Sequence, residues 1–300
     1  MAVLLSATGR AWSTDANVAG ASGKQPMTRS SLVETPHGRL SAIDTGGAGT
    51  PVLFIHGNSA CKEVFARQLA APFADRYRLI AFDLPGHGES DNAPEPERTY
   101  SIHGLADAAI ALLEAMRVER AVIVGWSLGG HAALEVLARW PGGIAAWITG
   151  TPPVSAAPED LAAAFLPSPH MALTFKERFT EEEASAYAAE GVGPNVVLED
   201  WMVAACRRAD GRFRPLMLRS AQTGQDMDEK AIVATAPQPL AVVSGEREPF
   251  VNNAYLAGLE YRNLWDGRVH VLAGLGHMPF WEAPEVVNPL LGRFLDEVSG

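Results

Sequence analysis

The sequence predicts an α/β fold in which helices cover both faces of a mostly parallel central sheet. The chain has 300 residues, of which 47% are hydrophobic and 20% are charged, and this usage is typical of a folded domain. Short apolar runs that end in glycine turns recur along the chain, and helix-like stretches separate them. Parallel strands buried on both faces produce such runs, and their alternation with helices indicates the α/β class.

The strand signal returns at intervals along the chain. The first segment alternates between apolar and polar residues, and those after it are nearly continuous apolar runs. The predicted strands are 38–44, 51–55, 77–82, 121–124, 145–149, 240–244 and 268–272. Active sites of such sheets lie at the carboxyl ends of the strands, so the residues that follow these segments are the candidates for function.

Composition outside the strands predicts how the chain is divided. Residues 1–30 are rich in Ala, Ser, Thr and Gly and lack periodicity, which predicts a flexible N-terminal extension. Between residues 151 and 236 the strand signals give way to helix-like segments with many bulky apolar side chains. These features predict a helical cap at 151–236, inserted into a core formed by residues 31–150 and 237–300.

Charge and cysteine content argue against several functional classes. Asp and Glu number 35 and Lys and Arg number 24, so the formal net charge is −11. This charge repels phosphate backbones and anionic lipid, and we expect neither nucleic acid nor a membrane as a partner. Cys61 and Cys206 form neither a disulfide framework nor a zinc-binding spacing, and we expect no metal or cofactor. The apolar segment 2–7 is too short for a secretory signal, which favours a cytoplasmic location.

A nucleophilic serine is predicted at the end of the fourth predicted strand. There the segment Gly125-Trp126-Ser127-Leu128-Gly129 fits the G-x-S-x-G pattern and precedes a helix-forming stretch. A tight strand-to-helix turn needs neighbours without a Cβ atom, and it presents the serine at the helix N-terminus. Because the helix dipole favours negative charge at that end, Ser127 is the predicted nucleophile.

A serine hydroxyl needs a base, and His277 is the histidine best placed to supply one. It stands in a glycine-rich loop directly after the last predicted strand, so we expect it at the same sheet edge as Ser127. The other histidines are predicted to be exposed or structural. We expect His37, His103 and His170 at the surface, and structural roles for His56, His87, His131 and His270.

The loop after the strand 240–244 supplies two carboxylates, Glu246 and Glu248. Glu248 is the predicted orienting acid because it occupies the position where the acid falls in this loop pattern, and Glu246 is the alternative. The chain order Ser127, Glu248, His277 is that of α/β-hydrolases. Glutamate replaces the commoner aspartate, so the acid reaches one methylene further.

An oxyanion at the reacting carbonyl needs hydrogen-bond donors. The segment His56-Gly57-Asn58 follows the strand 51–55 and would present the backbone N–H of Asn58. The residue after the nucleophile supplies the second donor in this type of site, so Leu128 is predicted to complete the oxyanion hole.

Together these segments resemble the metal-independent N-acyl-homoserine lactone lactonases, a quorum-quenching group of the α/β-hydrolase superfamily. The resemblance runs from about residue 31 to the C-terminus, and its more specific parts are the Thr-Gly-Thr-Pro-Pro and Glu-Pro-Phe-Val segments. The segments that carry it are His56-Gly57-Asn58-Ser59, 83–88, 125–131, 148–154, 248–251 and Asn263-Leu264-Trp265.

The resemblance implies the triad and the oxyanion-hole residue Asn58 given above. To these we add three substrate-binding residues, Tyr187, Trp126 and Gly57, of which Tyr187 lies in the cap and would hydrogen-bond the substrate. The implied reaction opens the lactone ring through an acyl-enzyme, and the implied partner is a small ester or lactone with an apolar tail. The other known lactonase design needs an H-x-H-x-D-H metal cluster, which this sequence lacks.

Other functions stay open from the sequence. A general carboxylesterase would prefer short esters to lactones, and an acylase would cut the amide bond instead of the ring. A hydrolase-fold signal receptor would turn over far more slowly than the usual kcat of about 1–10³ s⁻¹. Dehalogenase and epoxide-hydrolase chemistry is disfavoured, because those enzymes need a carboxylate where Ser127 stands.

Overall fold

An eight-stranded sheet forms the centre of the computed structural model, which describes residues 29–193, 196–224 and 226–300. The strands are β1 Arg29–Thr35, β2 Gly38–Asp44, β3 Pro51–Ile55, β4 Arg78–Phe82, β5 Ala121–Trp126, β6 Gly143–Thr149, β7 Leu240–Gly245 and β8 His270–Leu272. They lie in the order β1-β2-β4-β3-β5-β6-β7-β8. β2 is antiparallel to β1 and β4, and the remaining neighbours are parallel. The predicted α/β fold with a mostly parallel sheet is confirmed.

Helices connect the strands and flank the sheet. The α-helices are α1 Ala66–Leu69, α2 Pro96–Thr99, α3 Ile102–Ala115, α4 Leu128–Arg139, α5 Pro158–Ala164, α6 Glu181–Val192, α7 Asp200–Arg208, α8 Phe213–Thr223, α9 Glu229–Thr235, α10 Asn253–Gly258, α11 Pro279–Glu282 and α12 Pro284–Val298. Short 3-10 helices are Lys62–Phe65, Pro72–Asp75, Met171–Phe175 and Trp265–Gly267. In the described part of the chain, no helix combines the length and the apolar character needed to cross a membrane.

The core lies on both faces of the sheet. In β3, Val52 and Phe54 pack on the side of α12, and Leu53 and Ile55 pack on the side of α3 and α4. All four side chains are fully buried. Two-sided burial leaves no polar position in the strand, which is why β3 and β5 appear in the sequence as continuous apolar runs.

Strand β1 is not predicted from the sequence, although the strands 38–44 and 51–55 coincide with β2 and β3. β1 lies at the edge of the sheet, where Leu32 is 51% exposed, so its residues carry little apolar signal. β1 is held in the sheet by its antiparallel pairing with β2, and a hydrogen bond between Thr35 and Gly38 closes the turn between the two strands. It begins within the predicted extension 1–30, of which residues 1–28 lie outside the described residues.

The expectation that His37 is exposed is wrong. Its side chain is only 2% exposed, and its Nδ1 atom lies 2.9 Å from the hydroxyl of Thr99. His37 occupies the turn of the β1–β2 hairpin, and this turn packs against α2. The packing of this turn against α2 is a tertiary contact, and the local sequence does not reveal it.

The described residues of segment 151–236 form α5 to α9 and the 3-10 helix Met171–Phe175. α6 packs against α7, α8 packs against the 3-10 helix and α3, and α9 packs against α4. A β-bridge between Phe165 and Val251 joins this helical segment to the loop after β7, and the side-chain amide of Asn58, in the loop after β3, donates to the carbonyl of Thr174 in the same segment. The segment therefore lies over the loops that carry the candidate site residues.

The strand order creates a crevice between β3 and β5. From β3 the chain crosses to β4 on one side, whereas from β5 it crosses to β6 on the other side. Loops that leave neighbouring parallel strands in opposite directions leave a gap at the carboxyl edge, where ligands bind in open α/β sheets. The loops that follow β3 and β5 carry Asn58 and Ser127.

Candidate active site

Ser127 stands in a sharp turn between β5 and α4. Its backbone has φ 53° and ψ −121°, and such a conformation costs a non-glycine residue about 1–3 kcal/mol. The Ser127 N–H donates to the carbonyl of Thr149 at 2.8 Å, and the Ser127 carbonyl accepts from the Thr151 hydroxyl at 2.9 Å. A Cβ at residue 129 would lie 2.1 Å from the carbonyl oxygen of Ile55. Glycine at this position lets α4 approach β3, and the turn holds Ser127 at the amino end of α4.

His277 and Glu248 form a close buried pair. The Nδ1 atom of His277 lies 2.8 and 2.9 Å from the two carboxylate oxygens of Glu248, and the two residues are 4% and 6% exposed. The Phe250 N–H also donates to Glu248 Oε1 at 3.0 Å. An ionised carboxylate only accepts, so Nδ1 carries the hydrogen and Nε2 holds the lone pair of a base.

Trp126 and Gly150 hold His277 at the sheet edge that carries Ser127. The indole N–H of Trp126 donates to the carbonyl of His277 at 2.9 Å, and the two rings are 5.5 Å apart. Gly150, the residue after β6, has φ 58°, and a Cβ there would lie 2.8 Å from His277 Nδ1. Gly150 is not among the predicted site residues. In the sequence it belongs to the Thr-Gly-Thr-Pro-Pro segment, and the signal for its role is its position directly after a buried strand, at the edge that carries the predicted base.

The loop after β3 lies against the serine turn. A Cβ at Gly57 would lie 2.9 Å from the Trp126 ring and 3.2 Å from the Cβ of Ser127, so glycine permits this close approach. Leu128 is the first residue of α4, and the first N–H groups of a helix have no partner within the helix. Asn58, in the loop after β3, and Leu128, at the amino end of α4, thus lie on either side of the serine turn, as a pair of oxyanion donors requires.

His56 holds the loop after β3 in place through two hydrogen bonds. Its Nε2 accepts from the N–H of Leu84 at 3.0 Å, and its Nδ1 lies 2.8 Å from the carbonyl of Gly57. Complete burial lowers the pKa of His56 to about 4, so the imidazole is neutral at physiological pH and can keep both bonds. This arrangement agrees with the expected structural role of His56.

A small cavity of about 40 Å³ lies beside the site. Asn58, Trp126 and Tyr187 reach its wall, and the apolar part of the wall comes mainly from Val64, Ala188, Val192, Trp201, Met202 and Met278. Tyr187 lies in α6, its ring is 5.3 Å from that of Phe179, and burial raises the pKa of its hydroxyl. The cavity therefore brings a phenol from the helical segment together with the loop that carries Asn58.

The eight sequence-predicted site residues lie near this carboxyl edge of the sheet. The alternative acid, Glu246, directly follows β7, but its carboxylate is engaged elsewhere. Glu246 is exposed, and its carboxylate accepts from the Gly274 N–H at 2.8 Å. The glutamate two residues later is the one that meets His277. No group of three or more His, Cys, Asp and Glu side chains in the described ranges is arranged to hold a metal ion.

Comparisons with known proteins agree that this chain is similar to α/β-hydrolases. Residues 52–290 match the model of the alpha/beta hydrolase family. The N-acyl homoserine lactonase AidH in complex with N-butanoyl homoserine has a TM-score of 0.87 and 39% identity, over 90% of this chain and 97% of that chain. A mutant of AidH complexed with N-hexanoyl homoserine lactone has a TM-score of 0.86 and 39% identity, over 90% of this chain and 98% of that chain. The 2-(acetamidomethylene)succinate hydrolase of Mesorhizobium japonicum is 27% identical over 259 residues, which are 83% of this chain and 89% of its own.

These findings confirm the predicted likeness to the lactonase group and the prediction of a carboxylic-ester hydrolase. The family model spans residues 52–290, which include the serine turn, both loops that flank it and the His277–Glu248 pair. The chain belongs to the α/β-hydrolase family.

Proposed function

We propose that this protein opens the lactone ring of N-acyl-homoserine lactones by means of a Ser127-His277-Glu248 triad. The contact of 2.8 Å between His277 Nδ1 and Glu248, at the sheet edge that carries Ser127, supports the triad most directly. The 39% identity to the lactonase AidH, over 90% of this chain, supports the substrate class. An ester hydrolase needs a nucleophile, a base and oxyanion donors, and residues of suitable type lie together here.

In the first step, Ser127 Oγ attacks the ring carbonyl carbon while His277 Nε2 takes the hydroxyl proton. Glu248 holds the imidazole through Nδ1 and stabilises its positive charge. The carbonyl oxygen becomes an oxyanion that accepts from the backbone N–H groups of Asn58 and Leu128. When the tetrahedral intermediate collapses, the ring C–O bond breaks and His277 gives its proton to the ring oxygen, which leaves as a hydroxyl group.

In the second step, water attacks the ester that joins the opened substrate to Ser127. His277 Nε2 takes a proton from the water, and the same two N–H groups hold the second oxyanion. Collapse returns the proton to Ser127 and releases the N-acyl-homoserine as its carboxylic acid, which then loses a proton to solvent. The amide bond is untouched, so the product gains the mass of one water.

The acyl tail is assigned to the cavity beside Asn58 and Trp126. With a volume of about 40 Å³, the cavity is small, so movement of side chains in its wall would make more room for a tail of several methylenes. Met202 and Met278 lie in this wall, and unbranched thioether side chains change rotamer readily. We assign the Tyr187 hydroxyl to a hydrogen bond with the substrate's polar head.

The test is mass spectrometry of the purified protein incubated with N-butanoyl and N-hexanoyl homoserine lactone. The expected product has gained one water with its amide intact. Ser127→Ala is expected to keep the fold and to form no product above spontaneous ring opening. Release of homoserine lactone would indicate an acylase, and preference for p-nitrophenyl acetate in kcat/KM would indicate a general carboxylesterase. Turnover far below about 1 s⁻¹ on every substrate would favour a receptor.

A further inference from the structure

Arg214 is a buried cation whose described hydrogen-bond partners are all neutral. Its side chain is 1% exposed. The Nε atom donates to the Ser59 hydroxyl at 2.9 Å, Nη1 donates to the carbonyls of Lys176 and Glu177 at 3.0 and 3.1 Å, and Nη2 donates to the carbonyl of Cys206 at 3.0 Å. Burial of a charge without a counter-charge costs several kcal/mol. The groups that its hydrogen bonds hold in place give a reason for this buried charge.

The guanidinium sets the direction of a hydrogen-bond chain that ends at Asn58. An arginine can only donate, so the Ser59 oxygen accepts from Arg214 and directs its own hydrogen to Asn58 Oδ1, 2.7 Å away. With Oδ1 engaged in this way, Asn58 Nδ2 donates to the carbonyl of Thr174 at 3.1 Å. Without Arg214 the Ser59 hydroxyl could rotate, and the Asn58 amide would lose the partner that fixes its orientation.

Ser59 also needs such support because of its backbone. Its φ is 59°, in the left-handed region that costs a non-glycine residue about 1–2 kcal/mol. The N–H of Ser59 donates to His87 Nε2 at 3.3 Å, and the residue is fully buried. Bonds on both the N–H and the hydroxyl hold this strained corner, which directly follows the proposed oxyanion donor Asn58.

The same side chain reaches the helical segment above the site. The guanidinium carbon of Arg214 lies 3.9 Å from the centre of the Phe179 ring, and that ring is 5.3 Å from Tyr187. Arg214 itself is the second residue of α8. One buried cation therefore links the loop after β3, the carbonyls at residues 176 and 177, and the aromatic pair that contains Tyr187.

We infer that Arg214 is a positioning residue for ester hydrolysis, which holds the Asn58 oxyanion corner through the Ser59 hydroxyl and keeps an uncompensated positive charge behind it. This inference rests on the proposed function, because it assigns the Asn58 N–H to the oxyanion. The described contacts of Arg214 do not include the triad, so it acts through Ser59 and Asn58. Its effect is on kcat more than on KM, since an oxyanion donor acts in the transition state.

The test compares Arg214→Met, Ser59→Ala, the double variant and Arg214→Lys, with Arg219→Met as the matched control. Arg219 is on the same helix, but it is 61% exposed and pairs with Glu97. We expect Arg214→Met to lower kcat about 10- to 100-fold, less than the 10²–10³-fold for loss of a whole oxyanion donor, with a smaller change in KM. Ser59→Ala should show a similar loss, and Arg214→Lys should recover part of it.

The double variant decides whether Arg214 acts through Ser59. If it does, the double variant is no slower than Arg214→Met, whereas losses that multiply would overturn the inference. A folded Arg214→Met with the wild-type kcat would also overturn it. Should Arg214→Met fail to fold in a thermal melt, Ser59→Ala and Arg214→Lys still decide, because unchanged kcat in both contradicts the role. A p-nitrophenyl ester is assayed beside the lactone, so that an error in the proposed substrate does not hide the result.

Discussion

Gly150 faces the imidazole of His277 so closely that a β-carbon at residue 150 would lie 2.8 Å from Nδ1 and 3.3 Å from a carboxylate oxygen of Glu248. Its φ of 58° is itself in the left-handed region that favours glycine. The room available to the His277–Glu248 pair is thus set by the residue that follows β6, a strand that carries neither of them. This relationship makes the pair sensitive to a single methyl group.

Gly150→Ala is therefore expected to lower kcat by about 10²-fold, the size of effect that a displacement of about 1 Å produces in an active site. The added methyl group must push the imidazole away from Glu248 or shift the end of β6. Steady-state kinetics on the lactone measure the effect. The control is Gly258→Ala, because a Cβ at Gly258 meets no atom within 4 Å; equal rates for the two variants would argue against the steric role of Gly150.

Glu248→Gln is expected to lower kcat by about 10⁴-fold, as loss of the orienting carboxylate does in other triads. The glutamine can still fill the space, but its amide no longer stabilises the imidazolium. Glu246→Gln removes a carboxylate two residues away that is exposed and contacts the Gly274 N–H. Its rate should stay within about twofold of the wild type. A reversed pattern would identify Glu246 as the acid.

Chelator treatment is expected to leave the rate unchanged. The proposed steps use only side chains and backbone N–H groups of this chain, and the sequence has no H-x-H-x-D-H cluster. The measurement is lactone turnover after incubation with EDTA and removal of the chelator by gel filtration. A loss of activity that added Zn²⁺ or Mn²⁺ restores would contradict the proposed mechanism.

The His131–Glu229 pair is expected to stabilise the fold more at acidic than at alkaline pH. The Nδ1 atom of His131 lies 2.8 Å from both carboxylate oxygens of Glu229. Burial alone would lower the pKa of His131, but Glu229 and, to a lesser extent, Asp226 raise it above its ordinary value of 6.5. A pKa raised by folding contributes stability below the unfolded value, and the contribution is lost as pH rises through the folded value.

Glu229→Gln should therefore lower Tm more at about pH 6 than at about pH 9. Differential scanning calorimetry at the two pH values measures the difference. Glu119→Gln, at an exposed position after α3, is the control and should show no such contrast. A Tm loss for Glu229→Gln that is the same at both pH values, or greater at pH 9, would contradict the raised pKa.

Local patterns were sufficient to predict most of the sheet. The strands 38–44 and 51–55 coincide with β2 and β3, because burial on one or both faces leaves a periodic or continuous apolar signal. The serine turn was predicted for a similar reason, since a strand-to-helix turn demands glycines at fixed offsets. The edge strand β1 and the buried His37 were missed, because pairing partners from elsewhere in the chain place them.

The sequence by itself determined the α/β class, the order of strands and helices along the chain, and the types of residue that follow β3, β5, β7 and β8. Only the tertiary structure decided which of Glu246 and Glu248 meets His277, how near Gly150 lies to that imidazole, and that Arg214 is buried behind Asn58. The reason is physical: apolar periodicity and turn chemistry act over a few neighbouring residues. Contacts such as Arg214 with Ser59 join residues 155 positions apart, and they exist only once the sheet and helices have packed.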